Sequence, residues 1–342
     1  AGNTNCIGLK IQGGTAAAKD ISAEGEFCRG IASSGGTATA DDIDVSGDHS
    51  MGIGADGGTI TANGVLAEGT ASTGIYCAGG TITANTVQAQ GTDSIGAYAG
   101  SGGLVTIDTG ITAPTYISIS GTPKGKDDFT TPTTKQHYYT YTDSLSTVWV
   151  RVICTVTFMD GGEVHATRNV GEGTSVGSGN WPSDPVKNGY TFFGWYTGEN
   201  GAGTQFSEDS EVYIDQTVFA YWLENFTITV TPNTTAYGTV SGGGSYAPGA
   251  DVIVRATPKA GYRFVRWKEG GTQVSASAEY SFTANADRNL TAEFAIIGTP
   301  TLSASSGGYN SVKLTWTKVT GAAGYKLYRA TSSGGTYSLG KI

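Results

Sequence analysis

Charged residues are scarce in this 342-residue sequence, which has 20 Lys and Arg against 29 Asp and Glu, or 14 % in all. The first 114 residues carry only three basic side chains against eleven acidic ones, a net charge of −8. Phosphate binding needs a basic stripe, so this imbalance argues against a nucleic-acid partner and against an anionic membrane surface. No apolar run approaches the roughly 18 residues of a membrane-spanning helix, so we expect no membrane insertion.

Residues that carry catalytic chemistry are also rare. The sequence has four Cys and three His, and His49, His137 and His165 lie in different segments. It has no G-x-S-x-G elbow, no P-loop and no zinc-spaced set of Cys and His. We therefore expect no enzymatic activity and no cofactor.

Glycine, by contrast, is abundant, with 53 residues, about twice its ordinary share of roughly 7 %. Long packed helices are improbable at that content. Thr, Ser, Gly and Ala fill the space between β-branched residues, a composition that favours short strands and many turns. The sequence therefore predicts an all-β protein of several domains.

The first third is a repeat with a regular period. Gly-Gly pairs begin at positions 13, 35, 57, 79 and 102, so their spacings are 22, 22, 22 and 23. Three further columns keep this 22-residue period. They are Gly8, Gly30, Gly52, Gly74 and Gly96; Ile21, Ile43, Val65 and Val87; and Leu9, Ile31, Ile53, Ile75 and Ala97. Within each unit, alternation of small polar and apolar residues predicts three short strands and three turns.

Stacking of these units predicts a parallel β-helix in residues 1–150, with repeats over about 6–113. Coils about 4.8 Å apart let each strand pair with its copy in the next coil. The 22-residue coil does not fit the hexapeptide repeat of left-handed β-helices, so we predict the right-handed form. Residues 115–150 break the period, and we assign them as the cap that covers the exposed strand edges.

Two tandem modules follow, at 151–224 and 225–296. The pattern G-Y-x-F-x-x-W occurs at Gly189–Trp195 and again at Gly261–Trp267, a 72-residue offset. The first copy resembles the internalin B-repeat (Listeria-Bacteroides repeat) family, and the second resembles its divergent bacterial-repeat relative. These resemblances imply small β-grasp-like modules of surface stalks. Strand patterning also predicts four core tryptophans: Trp195, Trp222, Trp267 and, in the segment after the two modules, Trp316.

Residues 297–342 resemble part of a fibronectin type III domain. Ser311–Trp316 and Gly324–Arg329 match its strands B and C, and the segment holds about half of the roughly seven strands of that sandwich. Together the three resemblances imply an exported, Gram-positive surface protein with a partial β-sandwich after its modules.

Two pairs of residues in the solenoid are candidates for special roles. Cys6 and Cys28 lie one period apart, so a disulfide between adjacent coils is one reading. The other interpretation is a pair of small buried thiols. We favour it because in-register neighbours on parallel strands rarely reach the dihedral angle that a disulfide requires. Cys77 and Cys154 are predicted to be buried free thiols. Tyr76 and Tyr98 share an outward column and could accept the apolar face of a sugar, or else cover the side of the solenoid.

An acidic cluster in the second repeat offers the strongest case for other chemistry. Its members are Asp41, Asp42, Asp44, Asp48, His49 and Asp56, with Glu24, Glu26 and Arg29 one coil earlier. Paired carboxylates can cleave glycosidic bonds, and several oxygens can hold Ca²⁺. A solvated acidic face is the simpler interpretation, because the coils keep their length and carry no inserted loops.

The sequence thus favours a non-enzymatic, monomeric, extracellular surface protein that attaches to a host, a cell or a polysaccharide. Its partner would be a surface glycan or protein, contacted by the β-helix on a modular stalk. A carbohydrate-active β-helix enzyme, either a lyase or a hydrolase, is the first alternative. A purely structural stalk or surface-layer protein is the second.

Overall fold

The computed structural model describes residues 4–309 and 311–339, and it confirms the all-β prediction. In that part of the chain, the only helical segment is a three-residue 3-10 turn, Glu199–Gly201. None of the described helical structure is long and apolar enough to cross a membrane. The chain divides into two compact units. The first reaches to Ser183 and adds Gly194–Ala220, and the second holds Asp184–Phe193 and continues from Tyr221.

Twelve strands form one sheet that winds into a solenoid. They are β1 (Ile7–Ile11), β2 (Thr15–Glu24), β3 (Arg29–Ser46), β4 (Met51–Glu68), β5 (Thr73–Cys77), β6 (Thr81–Gln90), β7 (Ile95–Ala99), β8 (Leu104–Thr112), β9 (Thr115–Ile119), β10 (Thr122–Lys124), β11 (Tyr138–Thr142) and β12 (Thr147–Arg151).

Parallel pairing in the solenoid follows the 22-residue period. Ile31 of β3 is paired with Ile53 of β4, and Ile53 with Ile75 of β5, so each residue lies opposite its copy in the next repeat. The other wall has the same spacing, with Ile43 opposite Val65. About five coils stack in this way, so the predicted parallel β-helix is confirmed.

The coils differ from the expected three separate strands. β3 and β4 run through 18 residues each, with register irregularities near Ser34 where the chain bends. The other coils divide into two strands at the Gly-Gly turns. The bends therefore redirect the strand without always interrupting its ladder.

The solenoid interior is narrow and apolar. The inward columns around Ile31, Ile53 and Ile75 are fully buried, as are Ile60 and Ile82 on another wall. The glycine column lies where two walls approach each other. A Cβ on Gly52 would come 2.3 Å from Val65 Cγ1 and 2.6 Å from the carbonyl oxygen of Gly74. Glycine is therefore required at this column by close packing.

The segment 115–150 closes the end of the solenoid. β9 and β12 continue the parallel ladders of β7 and β8 by one further coil. β10 and β11 then pair antiparallel with β9 and β12. Tyr141 of β11 is fully buried in the core. Antiparallel neighbours end the parallel stack and cover edges that would otherwise stay open.

The cap is hydrogen-bonded to the module that follows it within the first unit. The Val152 amide donates to the His137 carbonyl oxygen at 2.9 Å, and the Glu172 amide donates to the Val152 carbonyl oxygen at 2.8 Å. Arg151 Nη2 donates to the Glu172 carbonyl oxygen at 2.6 Å. His137 Nδ1 lies 3.8 Å from Glu172 Oε2. Backbone and side-chain contacts therefore fix this junction.

The remaining strands form smaller sheets. One sheet holds β13 (Ile153–Asp160), β14 (Glu163–Gly171), β15 (Tyr190–Tyr196), β16 (Gln205–Phe206) and β17 (Gln216–Glu224). The next holds β18 (Phe226–Pro232), β20 (Gly244–Tyr246), β22 (Tyr262–Glu269), β23 (Thr272–Ser275) and β25 (Arg288–Ile296), beside a third sheet of β19 (Gly238–Ser241), β21 (Asp251–Pro258) and β24 (Glu279–Thr283). Two hairpin-like pairs follow: β26 (Leu302–Gly308) with β27 (Ser311–Trp316), and β28 (Tyr328–Arg329) with β29 (Ser338–Leu339).

The two modules repeat each other with the 72-residue offset of their motifs. Val156 is paired with Gln216 in parallel strands, and Ile228 is paired in the same way with Arg288. In the first module the Thr155 amide donates to Asp215 Oδ1 at 2.8 Å. In the second, the Thr227 amide donates to Asp287 Oδ1 at 2.7 Å. The tandem arrangement thus extends to individual hydrogen bonds.

Candidate functional site

Tyr76 and Tyr98 lie on the outer surface of the solenoid, on β5 and β7. Alternation along β5 buries Ile75 and Cys77 and leaves Tyr76 half-buried between them. Tyr98 has the same position one coil later and is paired directly with Tyr76. The column continues with Gly54 on one side and Ser118 on the other.

The two tyrosine rings stack on each other on the outer surface of the solenoid. Their centroids are 4.6 Å apart and their planes differ by 4°. In-register strands about 4.8 Å apart place identical side chains at stacking distance, so each ring covers one face of the other.

Charged side chains of both signs surround Tyr76. Burial raises the pKa of its hydroxyl, Tyr98 and the Asp56 carboxylate raise it further, and Arg29 opposes them. Met51 Sδ and Arg29 Cδ lie 2.7 Å and 3.7 Å from the point where a Cβ of Gly54 would be, so these side chains occupy the space above Gly54. The surface around Tyr76 can therefore offer a ligand hydrogen bonds and charge in addition to apolar contact.

A second aromatic pair was missed in the sequence. Phe27 and His49 stack at 4.9 Å between ring centroids with 18° between planes. Both have left-handed backbone conformations, with φ of 55° and 59°. They occupy equivalent positions in adjacent coils, so the repeat period could have found them. The sequence pattern instead placed His49 in the acidic cluster.

The acidic residues of the second repeat lie on the exposed surface of the solenoid. Asp41, Asp42, Asp44 and Asp48 are all exposed, and Asp48 Oδ1 accepts a hydrogen bond from the Thr70 amide at 2.8 Å. Within residues 4–309 and 311–339, no three His, Cys, Asp or Glu side chains are grouped so that they could hold a metal ion. The exposure of all four carboxylates is what a solvated acidic face requires.

Cys6 and Cys28 are joined by a disulfide, which differs from the pair of thiols that we favoured. Their Cα atoms are 4.5 Å apart because the residues lie in adjacent coils. Cys77 and Cys154 are buried free thiols, as predicted. Burial raises the pKa of both thiols, which disfavours the reactive thiolate.

We expect Cys28→Ser to weaken the N-terminal coil. The bridge closes a loop across a sequence separation of 22 residues, and loss of such a cross-link lowers the free energy of unfolding by about 3 kcal/mol. The midpoint of urea unfolding should fall in the variant and in the wild type treated with dithiothreitol. If dithiothreitol shifts the wild type and the variant equally, the bridge is not the cause.

The tryptophans predicted to be core residues differ in burial. Trp195 and Trp267 are buried, at 1 % and 0 % exposure, which fits the shared motif. Trp222 is half-buried. Trp316 is 38 % exposed, so its assignment to a core was wrong. It lies on the two-stranded β26–β27 sheet, which has too few strands to enclose an indole ring.

Family models match the two tandem modules. Residues 155–221 match the Listeria-Bacteroides repeat domain. Residues 228–298 match the divergent InlB B-repeat domain. These matches confirm the two resemblances drawn from the G-Y-x-F-x-x-W motifs. None of the curated proteins matches the chain. Repeats of these kinds are typical of bacterial surface proteins, which indicates an extracellular location.

Proposed function

We propose that this chain is a non-enzymatic surface protein that attaches to a host, a cell or a polysaccharide. The observation that supports this most strongly is the order of its parts: a β-solenoid is followed directly by two repeats typical of bacterial surface proteins. The solenoid provides a long ladder-like surface for repeated weak contacts. The modules hold that surface away from the cell envelope.

The junction described above supports this division of roles. A hydrogen-bonded connection through Val152, His137 and Glu172 transmits orientation and force better than a flexible linker. We propose that the cell is Gram-positive, that the protein acts as a monomer, and that β26–β29 belong to a fibronectin type III domain. The resemblance of Ser311–Trp316, which forms β27, to strand B of that domain supports the last assignment.

The tyrosine pair is the proposed contact site for a glycan. Two phenol hydroxyls, with Arg29 and Asp56 nearby, can exchange hydrogen bonds with sugar hydroxyls, while the ring edges contact the apolar face of the sugar. A carbohydrate-active enzyme would need opposed carboxylates in a groove. The aspartates of the second repeat instead line the exposed outer surface.

We expect the full chain to bind members of a glycan array and release no product. Binding should fall at least tenfold in the Tyr76→Ala/Tyr98→Ala variant, because the change removes both hydroxyls and both rings. Tyr309→Ala is the matched control, since Tyr309 is 97 % exposed and lies outside the solenoid.

Three other outcomes would each contradict part of this proposal. Release of shortened or unsaturated glycans would favour the enzyme. Binding that survives the double substitution would move the site away from the tyrosines. Absence of binding to any glycan or immobilised surface protein would favour a structural stalk.

A further inference from the structure

The Phe27–His49 stack forms an exposed aromatic ledge at one turn of the solenoid. Phe27 is 49 % exposed, and His49 is also exposed. A large apolar side chain in a left-handed conformation is uncommon on a protein surface, where Asn, Asp or Gly usually takes that position. The same column holds Asn5, Ala71 and Asp93. Among the described coils, this ledge is the place where the column carries stacked rings.

The backbone that carries the two rings is hydrogen-bonded to the next coils. The Phe27 amide donates to the Asp48 carbonyl oxygen at 3.0 Å, and the His49 amide donates to the Thr70 carbonyl oxygen at 2.8 Å. Cys28, which directly follows Phe27, is bonded to Cys6 in a disulfide. Because this backbone is fixed, a ligand that contacts the ledge has little backbone conformational entropy to remove.

The surroundings of the ledge are strongly acidic. Glu26 directly precedes Phe27 and Asp48 directly precedes His49, and both carboxylate side chains are exposed. The first 114 residues have a net charge of −8. Arg29 is the nearest basic residue in the sequence. Its side chain extends toward Gly54, and its positive charge opposes the rise in the pKa of Tyr76. Asp48 Oδ1 also accepts a hydrogen bond from the Thr70 amide, but no ion pair between described residues involves Glu26 or Asp48, so their negative charge is left for an external partner.

We propose that this ledge binds a basic segment of a partner protein, with a Lys or Arg side chain placed against the Phe27–His49 rings between Glu26 and Asp48. Aromatic faces attract ammonium and guanidinium groups, and the carboxylates add charge complementarity. Neutral glycans could donate hydrogen bonds to these carboxylates but would lack the charge attraction that a basic side chain gains. This contact is separate from the tyrosine pair, so it does not depend on glycan binding.

The test is the affinity of the full chain for a fluorescein-labelled, lysine-rich dodecapeptide, measured by fluorescence anisotropy at two salt concentrations. The same peptide with every lysine acetylated is the ligand control. We expect the charged peptide to bind and the acetylated one not to bind. Phe27→Leu should weaken binding about tenfold, because leucine keeps apolar bulk but has no π-face.

Two further variants separate the ring contact from general electrostatic attraction. Phe193→Ala removes a ring that is 53 % exposed in the first module, and it should leave the affinity unchanged. Glu26→Gln should weaken binding and reduce its salt dependence. The proposal fails if Phe27→Leu binds like the wild type, if the acetylated peptide binds equally well, or if the wild type does not bind the charged peptide. Glycan binding by Tyr76 and Tyr98 could survive each of these failures.

Discussion

Gly74→Ala is expected to destabilise the solenoid by about 3 kcal/mol, the upper end of the usual cost of overpacking. The new methyl group would come 2.4 Å from Val87 Cγ1 and 2.7 Å from the Gly96 carbonyl oxygen. The valine side chain can change its rotamer, but the carbonyl oxygen belongs to the backbone of the next coil. Relieving that contact would separate strands that the ladder holds about 4.8 Å apart.

Gly110→Ala is the matched control for this prediction. Gly110 lies in the same solenoid, on β8, and a Cβ there would meet no heavy atom within 4 Å. We expect its free energy of unfolding to change by less than about 0.5 kcal/mol. Urea unfolding followed by far-ultraviolet circular dichroism measures both variants. Equal effects at the two positions would show that the packing of the glycine column does not limit stability.

Trp267→Ala is expected to destabilise the second module by about 3–5 kcal/mol. The indole ring is fully buried, and its Nε1 donates a hydrogen bond to the Ala278 carbonyl oxygen at 3.2 Å. Its removal leaves a large cavity in the core formed with Phe264, Leu290 and Phe294. Hydrogen–deuterium exchange should accelerate in peptides from residues 225–296.

Trp316→Ala is the control for the second prediction, because Trp316 is 38 % exposed. We expect it to leave exchange in residues 225–296 unchanged. Peptides from residues 6–113 should keep their protection in both variants, because the module has its own core. Faster exchange throughout the solenoid in Trp267→Ala would contradict the independence of that core.

Most of the fold prediction came from the periodicity of the sequence. The Gly-Gly spacing predicted pairing at the 22-residue period, because stacked coils of equal length bring equivalent residues together, as at Ile31 and Ile53. The 72-residue offset predicted a tandem pair in the same way, and the parallel pairs at Val156 and Ile228 follow it. Repetition is a global constraint, and a single sequence displays it directly.

Local side-chain geometry was harder to predict. Alternation and the shared column placed Tyr76 and Tyr98 on the outer face, where their rings stack, but they did not show that Arg29 and Asp56 act on Tyr76. Phe27 and His49 lie in a turn, where neither alternation nor propensity predicts a left-handed backbone for phenylalanine. The exposure of Trp316 has a different cause. A strand pattern predicts which side chains point to one face of a sheet, but not whether another layer covers that face.

We propose that the solenoid attaches while the modules act as spacers, and the adhesion of coated beads separates these two roles. Beads carrying the wild-type chain, Gly74→Ala or Trp267→Ala would be compared for adhesion to epithelial cells and to isolated Gram-positive cell walls under flow. We predict that adhesion is lost with Gly74→Ala, at a temperature where that solenoid is unfolded, and is retained with Trp267→Ala. Retention with an unfolded solenoid, or loss only with Trp267→Ala, would contradict the account.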